Sequence, residues 1–159
     1  RIVDRKKTII VLDTGKNVAS SKVERQFAVS TWVDQIFVVG DDRKYIGALV
    51  APNFDSFINY FQKEGIAFDE SAVEYMGEGA ERVCVRVGQD FIEVPQLKSL
   101  VDQEVEKANE NLEEHERIKK YVIINRKFSE AAGEMTPTLK IKKKAVISNF
   151  EKEIEKIYL

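Results

Sequence analysis

The sequence contains few of the residue types on which common metal and nucleophilic chemistries depend. Its 159 residues include one cysteine, Cys84, and one histidine, His115. A single cysteine excludes a disulfide within the chain and is typical of a reducing compartment. A single histidine leaves no material for a His-rich metal site and little for a His-based catalytic triad. We therefore expect no metal site in this chain.

Excess basic charge and long apolar runs are also absent. The chain has 25 lysines and arginines against 27 acidic residues, and its net charge is −2. Because nucleic-acid-binding domains usually have a basic balance, we expect no nucleic-acid partner. No apolar run approaches the roughly 20 residues that span a bilayer. The length and the apolar fraction of 43% favour one globular domain. We expect it in the cytoplasm, because the single cysteine fits a reducing compartment. The chain begins with a strand-like run and no methionine, which fits a piece of a longer protein and equally fits a processed N-terminus.

Strand-like and helix-like runs alternate in the first part of the chain. The runs "KKTIIVL" and "KNVA" predict two strands joined by a turn at Gly15. The run "SSKVERQFAVS" predicts a helix with a capping box formed by Ser21 and Glu24. "VDQIFVVGDDRKYIGALVAP" predicts two further strands at the centre of a small sheet. Asn53 or Asp55 begins the next predicted helix.

The later part of the chain is harder to interpret, and residues 65–94 fit either an elaborated loop or an edge hairpin. After Gln96, an apolar stripe predicts a long helix through Leu97, Val101, Val105, Ala108 and Leu112. "YVIINR" predicts another strand. A final helix from about Lys143 places on one side Val146, Ile147, Phe150, Ile154 and Ile157. Together these elements predict an α+β fold, in which helices pack against a small mixed or antiparallel sheet.

A cluster of lysines follows a Thr-Pro-Thr turn in the stretch "GEMTPTLKIKKK", residues 133–144. One interpretation is a solvated surface, although cations at a helix start oppose the helix dipole. The other gives a chemical role to Lys140, which the sequence places on a turn before the helix. From such a loop, a lysine can reach another surface and neutralise a phosphate or a carboxylate.

Two separated stretches together resemble one family. "RIVDRKKTIIVLDTGKNVASSKVE" and "GEMTPTLKIKKKAVISNFEKEIEKIY" are similar to the small C-terminal domain of the AMP-forming acyl-CoA synthetases, within the adenylate-forming superfamily. The variants in this sequence look most like the long-chain fatty-acid branch. The resemblance implies that residues 1–159 are a C-terminal lid domain with a hinge at about residues 4–8. Its main partner would be a large N-terminal adenylation domain that this chain does not contain.

The resemblance implies roles for residues near the start of the chain. Arg5 and Lys7 match the hinge motif of the family. Arg5 would contact the nucleotide, and Lys7 would be the pivot about which the domain rotates between two orientations. The loop Gly15-Lys16-Asn17 matches the segment that lines the CoA tunnel after this rotation.

Lys140 matches the lysine that bridges the acyl carboxylate and the ATP α-phosphate during adenylation in the family. Lys143 stands where the family often has arginine, which keeps the charge but loses planar, bidentate geometry. The resemblance implies fatty acid, ATP and CoA as substrates, with Mg²⁺ on the ATP and acyl-CoA, AMP and pyrophosphate as products. We expect this domain alone to be inactive and to bind none of these tightly. The full protein would work in the cytoplasm or at a membrane surface.

A second hypothesis is a non-catalytic α+β interaction module. Its lysine cluster would bind an acidic partner or an anionic membrane surface. Such a patch would lose affinity gradually as any one lysine is removed, and its binding would depend strongly on salt. A catalytic lysine would instead be singular, because its neighbours cannot replace it.

Overall fold

The first element of the fold is a small hairpin. The computed structural model describes residues 9–138 and 140–158. Strands β1 (Ile9–Val11) and β2 (Asn17–Ala19) pair antiparallel. Gly15 in the turn has φ 88°, a left-handed conformation that favours glycine. The predicted hairpin and its turn are therefore confirmed.

Helix α1 (Ser20–Arg25) follows β2 directly, and here one prediction is wrong. The N-cap is Ala19, which makes no side-chain cap hydrogen bond. Since the helix starts as soon as the strand ends, Ser21 already lies in the first turn and cannot form the predicted capping box. Val23 on this helix and Phe27 just beyond its end are both buried.

Two longer strands and a helix come next. Strands β3 (Val33–Val39) and β4 (Ile46–Pro52) pair antiparallel, as predicted. Helix α2 (Phe54–Glu64) begins at Asn53, whose side-chain oxygen accepts a hydrogen bond from the Ser56 amide at 3.2 Å. Of the two candidate caps in the sequence, Asn53 is the one that the structure uses.

Residues 66–94 fold into a hairpin rather than an elaborated loop. Strands β5 (Glu74–Met76) and β6 (Val83–Arg86) pair antiparallel, and helix α3 (Gln89–Ile92) follows. Cys84 on β6 is fully buried, and its amide donates to the Asp55 carboxylate at 3.0 Å. This contact ties the hairpin to α2.

Helix α4 (Pro95–Asn109) carries the predicted buried stripe, and Leu112 is buried just beyond its end. Strand β7 (Ile118–Ile123) then pairs parallel to β4, which completes a mixed sheet in the order β3-β4-β7. Within the described residues, no helix is both long and apolar enough to cross a membrane.

The central strand β4 is buried on both of its faces. Side chains alternate between the two faces of a strand. Ile46, Ala48 and Val50 accordingly belong to a core that includes residues of α2 and α4, whereas Leu49 and Ala51 belong to a second core. The C-terminal segment supplies much of that second core.

The predicted single C-terminal helix is two helices, α5 (Lys143–Asn149) and α6 (Glu151–Ile157). The break is at Phe150, which has φ −115° and ψ 26° and packs edge-on against the Phe128 ring at 5.7 Å. Four of the five residues predicted on the apolar side are buried, and the fifth, Ile147, is 39% exposed. Gly47 lets α6 approach β4, since a Cβ at that position would lie 2.5 Å from Ile157 Cγ2.

Glu24 on α1 provides a test of the packing around this helix. Burial raises the pKa of its carboxyl from about 4.5 to about 7. The unfolded chain then binds fewer protons than the folded one between these values, so the stability falls as the pH rises through this window. We expect Glu24→Gln to stabilise the protein by about 1–2 kcal/mol at pH 8, after discounting for partial exposure, and to have little effect below pH 4.5. Urea unfolding at both pH values would measure this, with Glu64→Gln at an exposed site as the control for loss of one charge.

Candidate functional site

Lys140 lies at the end of a narrow loop that is closed by hydrogen bonds. Met135 and Ile141 form an antiparallel bridge at its base. The Thr136 amide donates to the Lys140 carbonyl at 2.8 Å, and the Lys140 amide donates to Thr136 Oγ1 at 3.1 Å. The backbone of Lys140 is thus held on both sides while its side chain is exposed. This arrangement suits a cation that must reach a group on another surface.

The four lysines of the cluster are not equivalent. Lys143 forms an ion pair with Asp41 at 3.1 Å, so its charge is already partnered. For Lys140, no carboxylate of the described residues lies within ion-pair distance. Lys142 and Lys144 are exposed and flank the start of α5. The backbone of Lys142 is also hydrogen-bonded, so Lys140 differs from these two in its place within the loop.

The loop Gly15-Lys16-Asn17 is exposed at the tip of the first hairpin. The Gly15 amide donates to the Leu12 carbonyl at 2.8 Å, which closes the turn. Asp41 connects this hairpin to Lys143 of the lysine cluster. One of its carboxylate oxygens accepts a hydrogen bond from the Val11 amide at 3.1 Å, and the other accepts one from the Lys143 ammonium. Among the described residues, no hydrogen bond or ion pair joins the hairpin loop to Lys140 itself. Arg5 and Lys7, the predicted nucleotide contact and hinge, lie outside the described residues.

A groove of about 980 Å³ lies between the β5–β6 hairpin and residues 126–135. Three basic residues line it, and each is paired with a carboxylate: Arg86 with Glu74, Arg126 with Glu134 and Lys127 with Asp34. The groove is therefore a weaker candidate for phosphate binding than the exposed Lys140. In the described part of the chain, no cluster of three or more His, Cys, Asp or Glu side chains could hold a metal ion.

The loop that carries Lys140, from Met135 to Ile141, is called the lysine loop below. Beside it lies a buried charge network that the sequence analysis did not predict. Glu134 is fully buried, and Arg126 donates to both of its carboxylate oxygens, at 2.8 and 2.6 Å. The Ser129 amide and the Asn149 side chain donate to the same carboxylate at 3.0 and 2.9 Å. Burial alone would raise the pKa of Glu134, but these hydrogen bonds outweigh it and lower the pKa.

The only signal for this network in the sequence is a charged residue beside the Thr-Pro-Thr turn. Glu134 is separated from Arg126 by 8 positions and from Asn149 by 15. Neither spacing corresponds to a local helix or strand pairing, since helix neighbours are three or four residues apart. The pairing therefore became visible only in the folded chain.

Comparison with known proteins connects this geometry to a family. The family model for the AMP-binding enzyme C-terminal domain matches residues 7–83 and 84–159. The chain is 35% identical over 157 residues to the long-chain-fatty-acid–CoA ligase FadD15 of Mycobacterium tuberculosis, covering 99% of this chain and 24% of that protein. It is 32% identical to the mouse long-chain-fatty-acid–CoA ligase 6, covering 100% of this chain and 21% of that protein. The chain thus spans about a quarter or less of these relatives.

A solved structure agrees with the fold. The adenylation domain of a carboxylic acid reductase from Segniliparus rugosus, in complex with AMP and a co-purified carboxylic acid, superposes with a TM-score of 0.65. The match has 23% sequence identity and covers 98% of this chain and 20% of that one, so it shows the fold alone. Since the family model accounts for nearly every residue, the chain belongs to the family of AMP-binding enzyme C-terminal domains.

Proposed function

We propose that this chain is the mobile C-terminal domain of a long-chain fatty-acid CoA ligase. Its relatives with that printed name align over almost its whole length, which supports the assignment. In this proposal residues 1–159 form the lid and residues 4–8 its hinge. Arg5 contacts the nucleotide, and Lys7 is the pivot of the rotation. The missing partner is the large adenylation domain, which holds most of the substrate sites.

The observation that carries the proposal is the position of Lys140, exposed in a hydrogen-bonded loop at the place that matches the adenylation lysine of the family. Its backbone is held by hydrogen bonds to Thr136, and its side chain projects from the surface, whereas Lys143 is paired with Asp41. A preorganised cation stabilises charge more effectively than a mobile one, because little reorganisation is needed when the charge develops. Lys140 therefore combines the matching motif position with an exposed side chain on a hydrogen-bonded backbone, which suits it to act at a reacting phosphate.

The first half-reaction brings two anions together. An oxygen of the fatty-acid carboxylate attacks the α-phosphorus of ATP, and the bond from that phosphorus to the leaving pyrophosphate breaks. Lys140 lies between the carboxylate and the α-phosphate and offsets their repulsion without donating a proton. Mg²⁺ enters with ATP, as part of the substrate.

The second half-reaction needs Lys140 to leave. The CoA thiolate attacks the acyl carbonyl, a thioester forms and AMP departs. Rotation about Lys7 withdraws the lysine loop and turns Gly15, Lys16 and Asn17 towards the CoA tunnel. The isolated chain is inactive in this proposal, because most of the substrate sites belong to the other domain. The proposed place of action of the complete enzyme is the cytoplasm or a membrane surface where fatty acid is available.

The test compares the two half-reactions in the complete enzyme. We expect Lys140→Ala to lower fatty-acid-dependent pyrophosphate release by at least about 100-fold, the cost of removing one preorganised charge-stabilising group. Thioester formation from supplied acyl-adenylate should change far less. Lys144→Ala, at an exposed lysine of the same cluster, is the matched control and should leave both rates close to wild type.

Equal and modest losses of pyrophosphate release in Lys140→Ala and Lys144→Ala would contradict the proposal. Together with salt-dependent binding to acidic protein or anionic vesicles, they would favour the interaction module instead. Steady-state acyl-CoA synthesis by the 159-residue chain alone would also contradict it, because the substrate sites would then lie within this domain.

A further inference from the structure

Glu134 lies at the base of the loop that carries Lys140, where it is hydrogen-bonded to Lys142 on the opposite arm. Its carbonyl accepts a hydrogen bond from the Lys142 amide at 2.7 Å, and its own amide donates to the Ser129 carbonyl at 3.0 Å. Further along the loop, Met135 and Ile141 form a bridge. Beyond that bridge, the Thr136 amide is hydrogen-bonded to the Lys140 carbonyl. The position of the whole loop therefore depends on how firmly Glu134 is held.

The side chain of Glu134 is held by two parts of the fold, the segment that follows β7 and the end of α5. Arg126 follows β7, Ser129 lies on the segment after it, and Asn149 is the last residue of α5. The Arg126 guanidinium also stacks over the Phe150 ring, with 4.6 Å between its carbon and the ring centroid. The network thus joins the sheet, the loop and the break between α5 and α6 at one buried carboxylate.

We propose that Glu134 is a positioning residue, which with Arg126 and Asn149 fixes the loop from which Lys140 reaches the reacting phosphate. This inference rests on the proposed function of Lys140. A lysine side chain is long and flexible, so its ammonium is placed accurately only if its backbone is fixed. Misplacement of a reacting group by about 1 Å can reduce a rate about 100-fold.

The experiment uses Glu134→Gln in the complete enzyme. The substitution keeps the size of the side chain but removes the negative charge that pairs with Arg126, and it replaces one acceptor oxygen with an NH2 group. We expect kcat for pyrophosphate release to fall about 10- to 100-fold, with KM for fatty acid and ATP little changed, because these substrates are bound mainly by the other domain. Thioester formation from supplied acyl-adenylate should stay close to wild type. Glu130→Gln, an exposed carboxylate of the same segment, is the matched control and should have neither effect.

A purely structural role for Glu134 predicts a different result. Loss of folded protein would reduce both half-reactions in parallel, and that outcome would overturn the inference. Asn149→Ala provides a milder variant if Glu134→Gln folds poorly, since it removes only the hydrogen bonds to Glu134 and to the Ala132 carbonyl. It should give a smaller loss that is again confined to pyrophosphate release, and equal losses in both half-reactions would count against positioning.

Lys140→Ala measured alongside separates the two proposals. If it selectively loses pyrophosphate release while Glu134→Gln and Asn149→Ala do not, the positioning role is wrong and the proposed function stands. If Lys140→Ala shows no selective loss, the proposed function itself is wrong, and the positioning role falls with it.

Discussion

Replacing Arg126 with methionine is expected to lower the free energy of unfolding by about 3–5 kcal/mol, because it leaves the buried Glu134 carboxylate without its cation. Glu134 is 0% exposed at its side chain, and Arg126 is 18% exposed. Desolvation of both charges is compensated only while the bidentate pair is intact. Urea unfolding of the 159-residue chain at neutral pH would measure the loss.

The chain offers a close control for this prediction. Arg43 also pairs with a glutamate, Glu155, and also stacks on an aromatic ring, that of Tyr158 at 4.5 Å. This pair is exposed, with side-chain exposures of 36% and 59%. Its ion pair should therefore contribute less than about 1 kcal/mol, so Arg43→Met should cost much less than Arg126→Met. Equal costs would mean that burial of Glu134 is not what makes its pair important.

The pH dependence of the Arg126→Met effect follows from the lowered pKa of Glu134. Burial opposes ionisation of this carboxyl, but hydrogen bonds from Arg126, Asn149 and the Ser129 amide lower its pKa overall. Its stabilisation is then present above the ordinary carboxyl pKa and is lost as the pH falls through the lower folded value. In the variant the carboxyl can protonate instead of remaining charged and unpaired. The difference in the free energy of unfolding between wild type and Arg126→Met should accordingly become smaller as the pH is lowered.

Phe61→Ala is expected to destabilise the protein about as much as Arg126→Met. Truncation of a fully buried phenylalanine lowers the free energy of unfolding by about 3–5 kcal/mol. The Phe61 ring is 0% exposed and lies 4.7 Å from the Phe91 ring and 5.9 Å from both the Phe57 and Phe68 rings. Phe68 and Phe91 belong to residues 66–94, so the cavity would also loosen this segment from α2. Thermal or urea unfolding measures the total loss, and amide hydrogen exchange would locate it.

Met76→Ala is the control on the same segment. Met76 lies on the β5–β6 hairpin and is 62% exposed, so its removal should change the stability by no more than about 0.5 kcal/mol. If Phe61→Ala were as mild as Met76→Ala, residues 66–94 would not share the core of the domain.

The sequence by itself determined the local elements of this domain. Gly15 specified a turn because a left-handed residue was needed there, and Asn53 began α2 through a hydrogen bond to Ser56 three residues away. The stripe on α4 repeated at helical spacing, and two motifs at opposite ends of the chain together carried the family resemblance. The turn, the cap and the stripe each depend on neighbours within a few positions of the chain, so a pattern in the sequence was enough to predict them.

Only the tertiary structure decided which distant residues meet. It paired Lys143 with Asp41, 102 positions away, and so separated this lysine from Lys140. It buried Glu134 between Arg126 and Asn149, and it broke the last helix at Phe150, where the sequence predicted a continuous one. The physical reason is that the chosen partner of a charge or a ring depends on which surfaces pack together, and packing joins segments that share no local pattern.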